Sequence, residues 1–456
     1  QEETTATARG YQLEFHETLL PSLNKNIVCG NSLIGKDILD GQLFEGEQER
    51  KLNSMDYHLR FPEVIRSGGF DAIVGNPPYG AELSELERNY LQKHFGVSIT
   101  DTAALFMLKQ VQLLKENGHG SFIVPKPFIY ASNWKSIRAA ILPDLIEICD
   151  CSKVWKEVKL EQIIYRLKKG GNRDNYRSCV RHKEAILHLG DIEKELCEKF
   201  DFILSNVTPD DVSIALKLVK PNRFLGGISE NRRGAMLQDK VKDEKGDYNV
   251  IVGKQIARYG FAAEWKGFIS KRAVNDDNAF VGENSVLAQN IVAHIQNPID
   301  HALIIASILP NDLRNKSIIL DTVNQISVKR PWSAEFVVAL LNSQLINWFV
   351  YRFVFARAIR TMHFDSPVTN RIPIPNLDLD KSKDKSLHDG IVKCVKQLSL
   401  SNINLNEVRT DKEKNYYKSK SNDLSMQIDE MLYGIYGLTE SEIAIVEKGM
   451  PNKSKE

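Results

Sequence analysis

The sequence predicts an α/β protein: a doubly wound sheet over residues 1–200, an α+β region over 215–378 and a helical tail over 380–456. Three observations predict it. Before Leu167, short apolar runs that stop at proline or glycine alternate with segments of helical spacing, as in a wound sheet. From 221 to 377 the periodicity breaks into irregular segments dense in arginine and aromatic residues. From 386 to 448 the spacing is helical again, with a charged middle.

Residues 11–20 have helical spacing and stop at Pro21. Residues 26–35 read as a short strand running into a polar turn. Residues 35–67 are charged, with a solvated helix expected over 45–51, and read as an insertion between strands. The stretch Phe70-Asp71-Ala72-Ile73-Val74-Gly75-Asn76-Pro77-Pro78-Tyr79-Gly80 organises the rest. Its apolar residues 72–74 predict a buried strand. Two prolines cannot continue a ladder, and Pro77 biases Asn76 toward an extended backbone. Asn76 and Tyr79 are therefore expected on a stiff loop at the carboxyl end of a strand, the edge where open α/β sheets bind ligands.

An amphipathic helix follows over 83–95. Thr100 or Asp101 caps the next one, which carries Ala103, Phe106, Met107, Val111 and Leu114 on one face and ends at Asn117-Gly118. Residues 120–125 predict a buried strand stopped by Pro125, 134–142 a helix, 146–149 a strand and 161–167 its partner. Residues 168–183 are polar and basic, 193–200 are helical, and Pro209-Asp210-Asp211 reads as a turn. The domain boundary falls between 185 and 215. In the region beyond, a single helix is expected over 334–353. In the tail, Gly437 caps one helix and Thr439 starts another.

Hydrophobic residues make up 42% and the formal net charge is +1. Bulk charge neither announces nor excludes a nucleic-acid binder, since one basic face suffices. Of the six cysteines, only Cys149 and Cys151 lie close, with a spacing that suits neither a zinc knuckle nor a redox pair. Reduced thiols in a cytoplasmic protein and no metal site are expected. No apolar run reaches transmembrane length and no signal peptide is visible. The start at Gln1 reads as part of something longer.

The loop's residue types suit one chemistry. An exocyclic amino group on a base is a poor nucleophile, because its lone pair is delocalised into the ring. Two acceptors that take both N–H bonds localise that pair. The Asn76 side-chain oxygen and the Pro77 carbonyl can supply them, already held in place by Pro77 and Pro78. Tyr79 offers a flat face to a base taken out of its stack.

Strand, Asn-Pro-Pro-Tyr and Gly together resemble motif IV of the amino-group methyltransferases that use S-adenosylmethionine, in the form of the adenine-N6 branch. Protein-glutamine methyltransferases share the same four residues. The strand at Phe122, Ile123 and Val124 with the Pro125 turn resembles motifs V and VI, and residues 152–158 resemble motif VIII. The resemblance implies a partial Rossmann-like methyltransferase sheet. It makes Asn76, Pro77, Pro78 and Tyr79 the catalytic loop, and Trp155 the second aromatic wall opposite Tyr79. It places the adenine of S-adenosylmethionine at Asn31 and Ser32. Asn31 stands where an aspartate is common, and its side-chain oxygen can still accept.

Further on, Leu340-Leu341-Asn342-Ser343, an aromatic helix, the basic stretch with Arg357 and Arg360, and Ile372-Pro373-Ile374-Pro375 follow in order. That order resembles the target-recognition domain of type IIG (Eco57I/TaqI-like) restriction–modification adenine-N6 DNA methyltransferases. The implied partner is double-stranded DNA. Its candidate contacts are Arg232, Arg233, Arg258, Lys271, Arg272, Lys329, Arg330, Arg357 and Arg360. The family's glycine-rich motif I has no counterpart here, because Gly68-Gly69 sits directly before the motif IV strand. The resemblance places motif I, and any nuclease domain, in an N-terminal remainder of the same polypeptide, and leaves open whether this chain acts alone. Two alternatives stand beside this reading. One is a protein-glutamine methyltransferase, a compact enzyme that would not need residues 221–377. The other is a DNA-binding specificity fragment without activity of its own.

Overall fold

The computed structural model describes residues 26–39, 51–96, 101–154, 161–262, 264–293, 301–358 and 361–450. The helix expected over 11–20, most of that expected over 45–51, Thr100, Trp155 and Arg360 lie outside these residues. The chain forms two compact units: residues 1–122 with 167–171, and residues 123–166 with 172–456.

In the first unit, strand β1 (Phe70–Gly75) lies parallel to β2 (Leu114–Pro125), with Gly75 opposite Phe122. Gly69 leads into β1 with φ +126°, and a Cβ there would meet the Leu113 carbonyl oxygen at 2.4 Å, so the position admits only glycine. The expectation of a buried strand needs correction. β1 stands at the end of its sheet and Val74 is 79% exposed. Among the described residues only β2 pairs with it. The helix Glu85–Phe95 starts at a capping box between Ser84 and Glu87. Asp101 caps the helix Thr102–Leu113 through the Ala103 N–H, as expected.

Asn117-Gly118 does not end that helix. Both residues lie inside β2, where the pairing with β1 shifts register between Phe70 and Ala72. The Asn117 N–H donates to the Lys169 carbonyl at 3.0 Å, and the Lys169 N–H donates to the Gly118 carbonyl at 3.0 Å. The turn-forming pair is used as an irregularity in a longer strand. Residues 26–35 are not a strand either, but a turn with one isolated bridge, Asn31 to Ser54. The Asn31 side-chain oxygen accepts from the Leu33 N–H at 3.1 Å, a local bond that competes with a ladder. Beyond it, Leu33, Ile34 and Ile38 pack with Leu91 and Leu105.

The second unit carries β3 (Leu145–Ser152), β4 (Gln162–Lys168), β5 (Asn175–His182) and β6 (Ala185–Glu193), in the order β4-β3-β5-β6. β3 and β5 are parallel and β5 and β6 antiparallel, so the sheet is mixed. The basic stretch over 168–183 hides β5. Tyr176 and Ser178 point inward while Asn175, Arg177 and Arg181 take exposed positions, so the charges mask a period of two. The expected turn at Pro209 is the first turn of a helix, Pro209–Val219. Pro209 sits where its missing N–H costs nothing, and Thr208 and Asp211 form a capping box.

Beyond it, β7 (Ser229–Arg233) joins Val323–Val328, Ser285–Gln289 and Ala306–Ser307 in an antiparallel sheet. Residues 334–353 form two helices, Ala334–Asn342 and Gln344–Phe353, because the Ser343 hydroxyl accepts from the Ile346 N–H at 3.2 Å and caps the second. Ile372 and Ile374 are buried, and the Tyr436 hydroxyl donates to the Pro373 carbonyl at 2.9 Å. The tail is helical as expected: Ser382–Glu407, Asp411–Tyr436 and Glu440–Lys448. Gly437 ends the second helix at φ 68°, and Thr439 with Glu442 starts the third.

Candidate active site

The Asn-Pro-Pro-Tyr loop leaves β1 and is held by the start of the helix Thr102–Leu113. The Thr102 hydroxyl donates to the Pro78 carbonyl at 2.8 Å and accepts from the Ala81 N–H at 3.2 Å. The Asp101 carboxylate accepts from the Gly80 N–H at 3.2 Å. One helical turn pair further on, Gln110 donates to the Ile73 carbonyl at 3.0 Å, so the strand end is fixed as well. Pro77 is buried, Asn76 and Pro78 are exposed, and Tyr79 is half-buried. Among the described residues, no hydrogen bond engages the Asn76 amide or the Pro77 carbonyl.

Beside the loop lies a cavity of about 250 Å³ lined by Ser32, Tyr57, Asn76, Pro77, Phe106, Lys109 and Phe122, among others. Ser32, picked out in the sequence, therefore comes together with Asn76 and Pro77. Asn31 does not line the cavity. Its amide is folded back onto Leu33 and reaches Glu87 at 3.4 Å.

Burial, reinforced by the Asp101 charge, pushes the Tyr79 phenol up to about 12, so its ring is neutral across the physiological range. The Tyr57 hydroxyl donates to the Ser32 carbonyl at 3.3 Å. Burial raises its pKa, and the Ser32 bond partly opposes that. Lys109 stands 5.3 Å from the Tyr57 ring centroid. Burial lowers the Lys109 pKa, with Asp37 acting in the opposite direction. Lys109, Tyr57 and Phe106 also wall the site and were not singled out as site residues from sequence. The available signal was Lys109 itself, the one charged residue of the helix Thr102–Leu113, three residues after Phe106 and hence on the same face. A second cavity of about 430 Å³ shares Tyr57 and Lys109 and is bordered by Asp37, Gly68 and Gly69.

The candidate DNA contacts divide. Arg232, Lys271, Arg272, Lys329 and Arg330 are exposed. Three others are engaged within the protein, which the sequence did not foretell. Arg233 holds Asp365 with two bonds of 2.8 and 2.6 Å. Arg258 donates to the Asn342 carbonyl at 2.5 Å, at the end of a helix. Arg357 donates to Asn206 at 3.1 Å and faces Asp211 at 3.9 Å. Arg232 and Arg233, adjacent on β7, alternate to opposite faces and cannot act as one patch. Among the described residues no cluster could hold a metal ion, and no helix is long and apolar enough to cross a membrane.

A rigid strand-end loop with two unengaged acceptors beside a partly aromatic cavity is the arrangement expected of amino-group methylation. Residues 10–156 match the Eco57I restriction–modification methylase family. The resemblance read from the Asn-Pro-Pro-Tyr loop holds at the level of that family. The chain is 23% identical over 544 residues to the type II restriction enzyme and methyltransferase RM.Eco57I of Escherichia coli, covering 94% of this chain and 51% of that protein. It is 25% identical over 415 residues to the type II methyltransferase M.HincII of Haemophilus influenzae, covering 74% and 81%. The chain thus spans about half the length of RM.Eco57I. The type IIL restriction–modification enzyme MmeI, solved in complex with DNA, superposes with a TM-score of 0.52 at 10% identity. The match covers 87% of this chain and 58% of that one, and it establishes the fold alone.

Proposed function

We propose that this Eco57I-like chain is the base-pocket and DNA-reading part of a site-specific methyltransferase that acts on the N6 amino group of adenine. The observation that carries the reading is the cavity that brings Ser32 beside Asn76 and Pro77, whose polar groups no described residue engages. The Asn76 side-chain oxygen and the Pro77 carbonyl accept the two N–H bonds of the amino group and turn its lone pair toward the methyl donor. The loop is anchored by Asp101 and Thr102 before substrate arrives, so little ordering remains at the moment of reaction. Tyr79, a neutral ring, stacks on the flipped base, and Trp155 is its proposed partner. No strong general base is needed, because the amino group loses its proton to water once methylated.

S-adenosylmethionine, when bound, supplies an electrophilic methyl on a sulfonium. The cavity fits its adenine: Phe106 and Phe122 give flat apolar walls, and Ser32 gives a polar edge. Double-stranded DNA is the proposed partner, with residues 215–378 as target-recognition domain and the exposed Arg232, Lys271, Arg272, Lys329 and Arg330 as phosphate contacts.

The test is Asn76→Ala in the methylase that carries this chain. Methyl transfer should fall by about 10²–10³-fold, the loss seen when one preorganised transition-state partner is removed, while DNA binding stays within about twofold. Equal loss of both would contradict the role given to Asn76.

A further inference from the structure

Residues Ile291–Ala293 and Met362–His363 form a two-stranded antiparallel ribbon in which Ile291 lies directly opposite His363. Directly opposed residues share one side of a ribbon. Both are exposed, Ile291 at 40%. Behind them is a buried chain of amides whose direction can be worked out from one end. The Phe364 carbonyl can only accept, so the Asn324 amide must turn its NH₂ toward it. That leaves the Asn324 oxygen facing Asn290, which therefore presents its own NH₂, at 2.9 Å. The same NH₂ donates to the Asp365 carboxylate at 2.9 Å. The Asn290 oxygen is left facing the His363 ring, 2.6 Å from Nδ1. Flipping either amide would set oxygen against oxygen. The 2.6 Å contact to the Asn290 oxygen calls for a proton on Nδ1 and outweighs the longer approach of the Arg233 Nη2 donor at 3.4 Å, so in the neutral ring Nε2 is the acceptor. No described residue bonds Nε2.

Asn324 and Asn290 are 0% and 3% exposed, so a desolvated scaffold is committed to one surface imidazole. Arg233, which reaches the inner side of the ring at Nδ1, donates two bonds to Asp365 and is balanced by that carboxylate, so the patch offers hydrogen bonding and an apolar side chain rather than net charge. That is the chemistry of a base edge, not of phosphate. A two-stranded ribbon fits the major groove, where an A·T pair shows a donor on adenine N6 and a methyl on thymine. Resting on the target-recognition reading above, we infer that His363 and Ile291 determine specificity for one A·T pair. His363 Nε2 accepts from the adenine amino group, and Ile291 packs on the thymine methyl. Guanine O6 and N7 and thymine O4, all acceptors, offer Nε2 nothing, and cytosine, whose N4 amino group can donate, is paired with a guanine that has no methyl for Ile291.

The experiment is selection of bound duplexes from a random pool by the full chain, followed by binding to the selected site. Wild-type protein should enrich a motif with an A·T pair that His363→Ala relaxes by about 3–10-fold, the size of one hydrogen bond, at that position alone. Replacing that thymine by deoxyuridine should weaken wild-type binding by about fourfold, the value of one methyl, and leave Ile291→Ala unaffected. ¹⁵N spectra of histidine-labelled free protein, at mildly alkaline pH, should show His363 protonated at Nδ1. Three results would overturn the inference: a motif unchanged in both variants, indifference to the thymine methyl, or a proton on Nε2. A wild-type protein that binds DNA but enriches no motif would overturn the recognition reading itself, and the inference with it.

Discussion

At the scale of single residues, the site is a set of local decisions. Pro77 and Pro78 stiffen the loop, Asp101 and Thr102 anchor it, and no described residue engages the Asn76 amide. The stiff loop and the place of Asn76 on it were legible in the sequence, because they depend only on chain neighbours; the anchoring by Asp101 and Thr102, 21 and 24 residues from the groups they hold, was not. Tyr57 and Lys109 were not legible, since their approach to the cavity depends on tertiary packing across more than one element. Tyr79 gives a pH test. Its folded pKa, about 12, lies above that of an unfolded tyrosine, so its contribution to stability is complete below pH about 10. The contribution declines as pH rises from there through the folded value. Thermal melts of wild type and Tyr79→Phe should therefore have a constant offset at neutral pH, with wild type losing ground only above pH about 10. An offset that changed between pH 6 and 9 would mean that Tyr79 is not shielded in this way.

At the scale of elements, caps decide where segments begin and end, and they account for most differences between expectation and structure. Residues 334–353 have one continuous apolar period, yet Ser343 splits them because its hydroxyl serves the second helix better than its backbone serves the first. Asn117-Gly118 carries a turn signal that β2 uses as an irregularity, because Lys169 supplies the partners. In both cases the local signal was read correctly, and which element used it depended on a distant partner. The Leu-Asn-Ser segment shows what such a partner does. Asn342, 1% exposed, accepts from the Ala306 N–H at 3.0 Å and donates to the Ala306 carbonyl at 2.8 Å, acting as one more ladder position at the edge of a short strand. Asn342→Ala strands two buried backbone groups and should cost about 2–4 kcal/mol in urea unfolding. A loss under about 0.5 kcal/mol would show that solvent replaces those bonds.

At the scale of the whole molecule, each unit has an organisation that no short window contains. In the second unit Lys126, 1% exposed, donates to Asp150 at 2.9 Å, to Glu161 at 3.3 Å and to the Arg357 carbonyl at 3.1 Å. Arg357 lies 231 residues away in sequence. Asn206 and Asp211 extend the cluster through Arg357 and Arg352. Arg357 read as a surface cation because its partners were invisible from its own neighbourhood. A buried charge is kept only where it is paired, and here the pairing joins the sheet to the region proposed to read DNA. The alternation of strands and helices was legible, since it repeats along the chain. The mixed pairing of the sheet was not, since β5 and β6 carry their charges outward.

The central claim is that the acceptors at Asn76 and Pro77 serve an amino group in DNA. The most direct measurement is where a labelled methyl goes when the methylase carrying this chain is given S-adenosylmethionine, duplex DNA and protein together. The prediction is label in DNA alone, recovered on nucleoside digestion as N6-methyladenine and lost with Asn76→Ala. Label in protein glutamine, or on a DNA position other than adenine N6, would contradict it.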